Sequence, residues 1–102
     1  MKSVRLNNIG TTFKITIKDQ DSLIVPIETS SIKRLYFKRP DRTVFYVNAS
    51  FFTDGTDGII IYRTIQGDLN QTGIWEIEPY IVIYSGHFTG SSIKFIVKDI
   101  IN

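Results

Sequence analysis

The chain has 102 residues, one histidine, no cysteine and a formal net charge of +2 at pH 7. This length predicts one domain, residues 1–102, large enough to bury a core without covalent cross-links. The missing cysteines exclude a disulfide framework and a thiolate metal site, and the small excess of positive charge argues against nucleic acid as a partner. No apolar run follows the charged N-terminal residues, so we expect no signal peptide. Nowhere are about 18 apolar residues consecutive, so we expect no insertion into a membrane.

The balance of residue types favours strands over helices. A third of the residues are Ile, Val or Thr, whereas Leu occurs four times and Ala once. Side chains branched at Cβ lose rotamer freedom in a helix but pack well on a pleated sheet. Because the apolar stretches are short and separated by Asp, Gly and Pro, the sequence predicts an all-β chain of many short strands.

In the first half of the chain, residues 13–17 alternate apolar and polar side chains, which predicts a half-buried strand. A short strand is predicted over residues 23–27, kept at a sheet edge by Pro26. Residues 32–38 predict the next strand. The side chains predicted to face the core from the two longer strands are Phe13, Ile15, Ile17, Leu35 and Phe37.

Two turns enclose the most aromatic stretch. Residues 39–42 predict a type I turn, because Pro40 presets φ at its first central position. Residues 43–52 then predict one long strand, apolar on both faces and therefore covered on both sides. The doubled Asp-Gly within residues 54–58 predicts a turn that tolerates positive φ.

In the second half, residues 66–73 predict a segment that crosses between sheets. Its Leu69 and the Trp75 that follows are expected to be buried, with the loop's apolar anchor packed beneath the next strand. Pro79 is expected to interrupt the ladder of that strand. The other predicted elements are strands at 59–63, 74–84, 87–89 and 93–97, a hairpin turn at Ser85-Gly86, a bulge at 90–92 and a short tail at 100–102.

Taken together, about 7–8 antiparallel strands, spaced about 8 to 12 residues apart, are typical of an immunoglobulin-like β-sandwich. A single sheet of similar strand number closed on itself is the alternative.

Candidate catalytic groups are few. His87 is the only histidine, so neither a triad with a choice of partners nor a two-His metal site can be built. Glu76 and Glu78 share one face of a strand, as a carboxylate pair around a glycosidic bond would, but a solvated polar face is the favoured interpretation. We therefore expect no catalytic residue, no enzymatic activity and no cofactor.

Three aspartates raise the question of a cation. Asp41, Asp54 and Asp57 could supply oxygen ligands to calcium. Asp-Gly pairs are primarily turn formers, however, and the further carboxylates that such sites collect are missing. The favoured prediction is a turn without metal, and a weak calcium site stays as the alternative.

Basic and aromatic residues indicate contact with a partner. Five basic residues are predicted to gather around one turn near Tyr36 and Tyr46: Lys33, Arg34, Lys38, Arg39 and Arg42. Such a pattern can hold single-stranded nucleic acid, but here it favours a solvated rim, or a salt-bridging rim at a protein contact. The tyrosines outnumber what a core of this size can hold, and tyrosine is favoured at interfaces. The predicted partner-contact residues are Lys38, Arg39, Arg42, Asp54, Asp57, Tyr46, Tyr84 and Phe88.

Five segments show a family resemblance through their sequence, order and spacing: residues 4–11, residues 16–21, residues 37–41 with 43–44, residues 50–51 with 53–58, and residues 67–69 with Gly73 and Trp75. They resemble the N-terminal domain of the phage baseplate upper protein family. Arg42 departs from the pattern, since it stands where the turn commonly carries Gly.

The resemblance implies an immunoglobulin-like β-sandwich in the virion of a tailed phage. Its expected role is that of a non-enzymatic adaptor or attachment module of the baseplate, tail or fibre, which contacts other virion proteins in many copies. A capsid decoration protein with the same fold is one alternative. The other is an adhesion module that binds a host surface glycan by stacking Tyr80, Tyr84, Tyr46 or Phe88 on sugar rings.

Overall fold

The computed structural model describes residues 2–19, 21–83, 86–89 and 92–99. Among these residues there are nine strands and no helix, and therefore no membrane-spanning helix. The strands are β1 (Lys2–Arg5), β2 (Thr12–Thr16), β3 (Ile32–Lys38), β4 (Val44–Asn48), β5 (Ser50–Phe51), β6 (Ile59–Arg63), β7 (Gly73–Ile83), β8 (Gly86–Thr89) and β9 (Ile93–Lys98).

The strands form two sheets. The first has six strands in the order β1-β9-β7-β3-β4, with β8 also paired to β7, and the second has three strands in the order β2-β6-β5. The predicted all-β class is confirmed. Among the described residues the two sheets are separate and share one core, which is consistent with the predicted sandwich.

The core lies between the sheets, as the apolar alternation predicts. Trp75, Leu35 and Phe37 of the larger sheet are completely or almost completely buried. Phe13 reaches them from the smaller sheet, with its ring centroid 5.7 Å from that of Phe37 and 4.9 Å from that of Phe95. Burial of each such side chain contributes about 2–3 kcal/mol, so these rings hold the two layers together.

Strand β1 was not predicted, and it pairs in parallel with β9, so the expectation of purely antiparallel strands is wrong. The register places Val4 opposite Val97, and the backbone N–H of Leu6 then donates to Lys98 O at 2.8 Å. Within β1 only Val4 is apolar, so the strand has no alternating pattern that a sequence reading could detect.

The single strand predicted over residues 43–52 is two strands in different sheets. The chain leaves the larger sheet after β4 at Ala49, whose small side chain is buried and whose N–H donates to Lys33 O at 2.9 Å. Strand β5 then pairs with β6 in the smaller sheet. The prediction that both faces are covered is also wrong, because Val44, Tyr46 and Phe52 are exposed.

The strand predicted over residues 23–27 does not form. Only an isolated bridge joins Lys18 to Ile24. The segment continues with single hydrogen bonds, such as that from Ile27 N–H to Gly55 O at 2.8 Å, so its backbone is satisfied without a ladder. Its apolar residues still serve the core, since Ile27 is buried.

Pro79 interrupts pairing at one edge of β7, whereas pairing with β3 continues through Pro79, opposite Leu35. The carbonyl of Val82 accepts a hydrogen bond from the N–H of Ser31 at 2.9 Å, so the backbone N–H and C=O groups of Val82 point toward β3. Alternation along the strand then turns the nitrogen of Pro79 to the opposite edge of β7. There, pairing with β9 ends at Ile77 and pairing with β8 begins at Tyr80, so the missing N–H falls in the gap between the two partners.

The crossing segment is anchored as predicted. The side chain of Leu69 is completely buried, and its carbonyl accepts the N–H of Asn7 at 2.8 Å. The indole Nε1–H of the buried Trp75 donates to Gln71 O at 3.1 Å. The crossover between sheets is therefore tied both to the backbone that follows β1 and to the core.

Asp68 of the same segment stabilises the neutral form of Tyr62, a residue of β6. The hydroxyl of Tyr62 donates to the carboxylate of Asp68, which also accepts the N–H of Ile65 at 2.9 Å. Burial raises the pKa of Tyr62, and the hydrogen bond to the Asp68 carboxylate raises it further.

Three predicted features lie outside the described residues. They are the hairpin turn at Ser85, most of the bulge at 90–92, and the tail at 100–102.

Candidate functional site

Four aromatic rings cross the outer face of the larger sheet, and we call them the aromatic surface: Tyr46, Tyr36, Tyr80 and His87. Register places Tyr36 opposite Tyr46, and Tyr80 one row away on β7, where it is opposite Arg34. Successive ring centroids are 5.7, 6.2 and 6.1 Å apart. Strands β4, β3, β7 and β8 therefore contribute one ring each to a continuous line.

The aromatic surface is accessible from solvent. The side chain of Tyr46 is 50% exposed, His87 is exposed, and Tyr36 and Tyr80 are half-buried. Amphipathic rings of this kind bury a large area on association with few rotors to freeze, which is why they are enriched at interfaces. The line thus has the chemistry of a docking surface.

Charges alternate beside the aromatic surface. Glu76 and Glu78 share the outer face, as predicted, and line with Tyr36 and Lys38 a shallow depression of about 170 Å³. Register sets Glu76 between Lys38 and Lys94, and opposite charges on neighbouring strands favour pairing. The two carboxylates are therefore part of a solvated row of mixed charge.

The predicted basic cluster is dispersed. Three of its five cations each lie against an aromatic ring: Lys33 over Phe51 at 4.5 Å, Arg34 over Tyr46 at 4.4 Å and Arg39 over Phe45 at 4.3 Å. Successive residues of a strand point to opposite faces, so Lys33 and Arg34 are on different sides of β3. Cation–π contacts hold these groups within the molecule, and the expectation that all five gather around one turn is wrong.

The turn predicted at residues 39–42 forms the tip of the β3–β4 hairpin. The N–H of Arg42 donates to Arg39 O at 2.9 Å, and the N–H of Arg39 donates to Thr43 O at 2.9 Å. Pro40 occupies the first central position. Arg42 has φ of 73°, a conformation that glycine adopts without strain, which accounts for the glycine expected at that position.

Asp41 organises this tip. One carboxylate oxygen accepts the hydroxyl of Thr43 at 2.6 Å and its N–H at 3.0 Å, and the other accepts Gln71 Nε2–H at 2.8 Å. The hydroxyl of Thr43, followed by its N–H and by Gln71, lowers the pKa of Asp41 to about 2. The tip is thus tied to the segment that precedes β7.

The loop at residues 54–58 is built by its own aspartates. Asp54 accepts the hydroxyl of Thr56 at 2.6 Å and its N–H at 3.0 Å, contacts that lower the pKa of Asp54. Asp57 accepts the N–H of Ile59 at 3.0 Å and the hydroxyl of Thr53 at 2.8 Å. These hydrogen bonds identify both aspartates as turn formers. In the described part of the chain no three His, Asp or Glu side chains group as metal ligands.

The predicted contact residues do not form one site. The tip is hydrogen-bonded to Gln71, which lies two positions before the start of β7. The loop at 54–58 is hydrogen-bonded to Ile27, and the chain that continues from Ile27 bonds through Ser31 to Val82, near the end of β7. Strand β7 has 11 residues, roughly 33 Å of extended chain. Lys38, Arg39 and Arg42 are therefore at one end of the sandwich, and Asp54 and Asp57 are near the other.

Of the remaining predicted contacts, Tyr46 lies between these ends on the outer face. Tyr84 is outside the described residues, and for Phe88 only the backbone is described, in β8 opposite Ile81. Sequence reasoning left Tyr36, Tyr80 and Arg34 out of the predicted contact set. The alternation of side chains along a strand shows which of them share a face of that strand. Which strands are neighbours, here β4, β3 and β7, is given only by the register.

A scan against protein-family models and a search of curated proteins found no match for this chain.

Proposed function

We propose that this chain is a non-enzymatic structural module of a tailed-phage particle, which docks onto other virion proteins through the aromatic surface. The observation that carries the proposal is the unbroken, solvent-accessible line of rings from Tyr46 to His87. The five-segment resemblance to the N-terminal domain of the phage baseplate upper protein family supports the particle and the adaptor role. On this proposal many copies are held in the virion by its symmetry.

We also infer that the sandwich is immunoglobulin-like. The adjacent strands β9-β7-β3 correspond to G-F-C of that fold, and β4 extends them in the C′ position. The facing sheet β2-β6-β5 corresponds to B-E-D. On this correspondence the aromatic surface lies on the sheet that variable-type domains extend with C′.

The absence of catalysis in this proposal is supported by the chemistry of the side chains. The sequence has one histidine and no cysteine, which leaves few candidates for a nucleophile and its base. Glu76 and Glu78, the remaining carboxylate pair of interest, lie on an open face, where Glu76 is opposite Lys38 and Glu78 is opposite Tyr36.

Incorporation into the particle is the direct test. We expect the chain in mass spectra of purified particles of the phage that encodes it. We further expect the double variant Tyr36→Ala, Tyr80→Ala to be depleted from particles at least about tenfold. The reason is that replacing a tyrosine at the centre of an interface by alanine commonly costs more than about 1 kcal/mol of binding free energy. Phe52→Ala removes an exposed ring from the other sheet, where Lys14 covers it, and should be incorporated normally.

Absence of the chain from purified particles would contradict the proposed role. Equal incorporation of all the variants would instead remove the aromatic surface as the docking site. Separation of tails from capsids before mass spectrometry distinguishes a baseplate, tail or fibre adaptor from a capsid decoration protein.

A second candidate function is adhesion to a host surface glycan. The observation that favours it is the depression where the ring of Tyr36 meets Glu76, Glu78 and Lys38, since sugars are bound by aromatic faces with polar groups at their rim. Glycan-array binding that is lost in Tyr36→Ala and retained in Phe52→Ala would support this candidate, whereas an array without signal would count against it.

A further inference from the structure

The terminal strands of the two sheets differ in how they are protected against pairing with another chain. Natural edge strands are guarded by charge, especially Lys, by Pro, or by short length. Strand β1 carries Lys2 and Arg5, β2 carries Lys14 at its centre, and β5 has two residues. Strand β4, Val44–Asn48, has five residues with no charge, no Pro and no Gly, so it alone among these four edges is unguarded. Strand β8, which pairs with β7 alone, is a further edge, but it has four residues and begins with Gly.

The outer edge of β4 presents free backbone groups. The N–H of Ala49 donates to Lys33 O at 2.9 Å, which turns odd-numbered residues of this stretch toward β3. By alternation, the N–H and C=O groups of Val44, Tyr46 and Asn48 point away from β3. Within the described residues, β4 pairs with β3 alone, and no backbone hydrogen bond from these three residues reaches another segment.

We propose that two copies of this chain pair through β4 as antiparallel edge strands, related by a two-fold axis at Tyr46. In this register Tyr46 is opposite Tyr46 of the partner subunit, and Val44 is opposite Asn48 of the partner subunit. Every free position of the edge is then paired. Each such pair exchanges two N–H···O=C bonds, about six in total, whereas a shift of the register by two residues leaves one position of each strand unpaired.

The side chains favour a second copy as the occupant. Tyr46 is the outermost ring of the aromatic surface, so the two-fold axis joins two such lines into one that runs across both molecules. Cross-strand aromatic pairs of this kind stabilise antiparallel sheets. On the opposite side of β4, Phe45 and Val47 are half-buried against the core, and a neighbouring strand would cover them further.

Electrostatics also permit this pairing. Neither strand carries a charge, so no like charges are directly opposite. On the outer face the charge nearest the axis is that of Arg34, whose guanidinium lies over the ring of Tyr46 at 4.4 Å in each copy. This cation–π contact holds each guanidinium against the ring of its own chain. An isologous contact of this kind closes at two copies.

Sedimentation velocity of the purified chain over a range of concentrations tests the dimer. We expect a monomer–dimer equilibrium, and we expect Tyr46→Lys to weaken it at least tenfold, because the variant places two ammonium groups opposite each other at the axis. Thr16→Lys adds the same charge to an exposed position of the β2 edge and should leave the dimer unchanged. A near-native circular dichroism spectrum and melting temperature confirm that each variant is folded.

Single cysteines test the register, since the chain has none of its own. In the proposed pairing, the two Cα atoms at position 46 are about 5.5 Å apart, within the range that a disulfide bridges. Tyr46→Cys should therefore cross-link under mild oxidation. Val44→Cys is the matched control on the same edge, because its two copies are offset by four residues along the strands, roughly 14 Å, and should stay reduced.

Several results would overturn the proposal. They are a monomer at every concentration, a dimer that Tyr46→Lys does not affect, cross-linking of Val44→Cys as readily as Tyr46→Cys, and growth beyond two copies. A monomer that instead binds an unrelated extended peptide along β4 would assign the edge to a different partner and count against it equally. The proposal does not rest on a role in phage particles, so it stands or falls separately from that function.

Discussion

At the scale of single residues, Arg42 has an unfavourable backbone conformation. Its φ of 73° lies in the left-handed region, where a side chain with a Cβ is disfavoured. The turn bonds of the tip require this conformation, because the carbonyl of Arg39 accepts the Arg42 N–H directly after Pro40 and Asp41. The cost is therefore local and removable.

We expect Arg42→Gly to stabilise the protein by about 0.5–1 kcal/mol. Glycine adopts the left-handed conformation without strain, and this gain is partly offset because glycine has more conformational freedom in the unfolded chain. Arg63→Gly removes the same charge from an exposed strand position and should destabilise by about as much. Urea unfolding of both variants measures the difference. A destabilised Arg42→Gly would show that the side chain contributes more at the tip than its backbone conformation costs.

At the scale of elements, the crossing segment between β6 and β7 depends on one apolar contact. Leu69 is 0% exposed, and the backbone groups around it bond to the N-terminal strand and, through Gln71, to Trp75. Loss of its side chain leaves a cavity beneath the start of β7, where the strand enters the core.

We expect Leu69→Ala to lower the free energy of unfolding by about 2–5 kcal/mol, the range for a buried leucine that leaves a cavity. Leu23→Ala is the matched control, because Leu23 is 63% exposed and its loss should cost less than about 0.5 kcal/mol. Thermal or urea unfolding followed by circular dichroism checks the pair. Similar losses in the two variants would mean that Leu69 does not anchor the segment.

At the scale of the whole molecule, the topology joins distant parts of the chain. Strand β1 pairs with β9, and β2 pairs with β6, so the first residues find their partners only near the end or the middle of the sequence. Such non-local pairing requires long loops to close before contacts form. The principal dimensions of 45 × 23 × 20 Å describe the elongated sandwich that results.

We expect the chain to refold in milliseconds to seconds, the range of all-β domains dominated by non-local contacts. Trp75 is the only tryptophan and is completely buried, so its fluorescence in a stopped-flow experiment reports directly on core formation. Refolding within microseconds would contradict this expectation and indicate that local structure dominates the transition state.

The sequence by itself determined the class of the fold and the faces of its central strands. The alternation in residues 13–17 and 32–38, and the burial of Leu69 and Trp75, each depend on neighbours within about ten residues along the chain, and each is confirmed. Turn chemistry is equally local, so the turn at 39–42 and the break at Pro79 were predictable.

Only the tertiary structure decided how these pieces combine. The switch of sheets at Ala49, the parallel pairing of β1 and the assembly of the aromatic surface all depend on which strands are neighbours. Strand neighbours and register follow from contacts between residues far apart in sequence, and residues with suitable local patterns permit several such pairings. For that reason the predicted contact residues were divided between two ends of the sandwich, and the rings that share one face were revealed by the register.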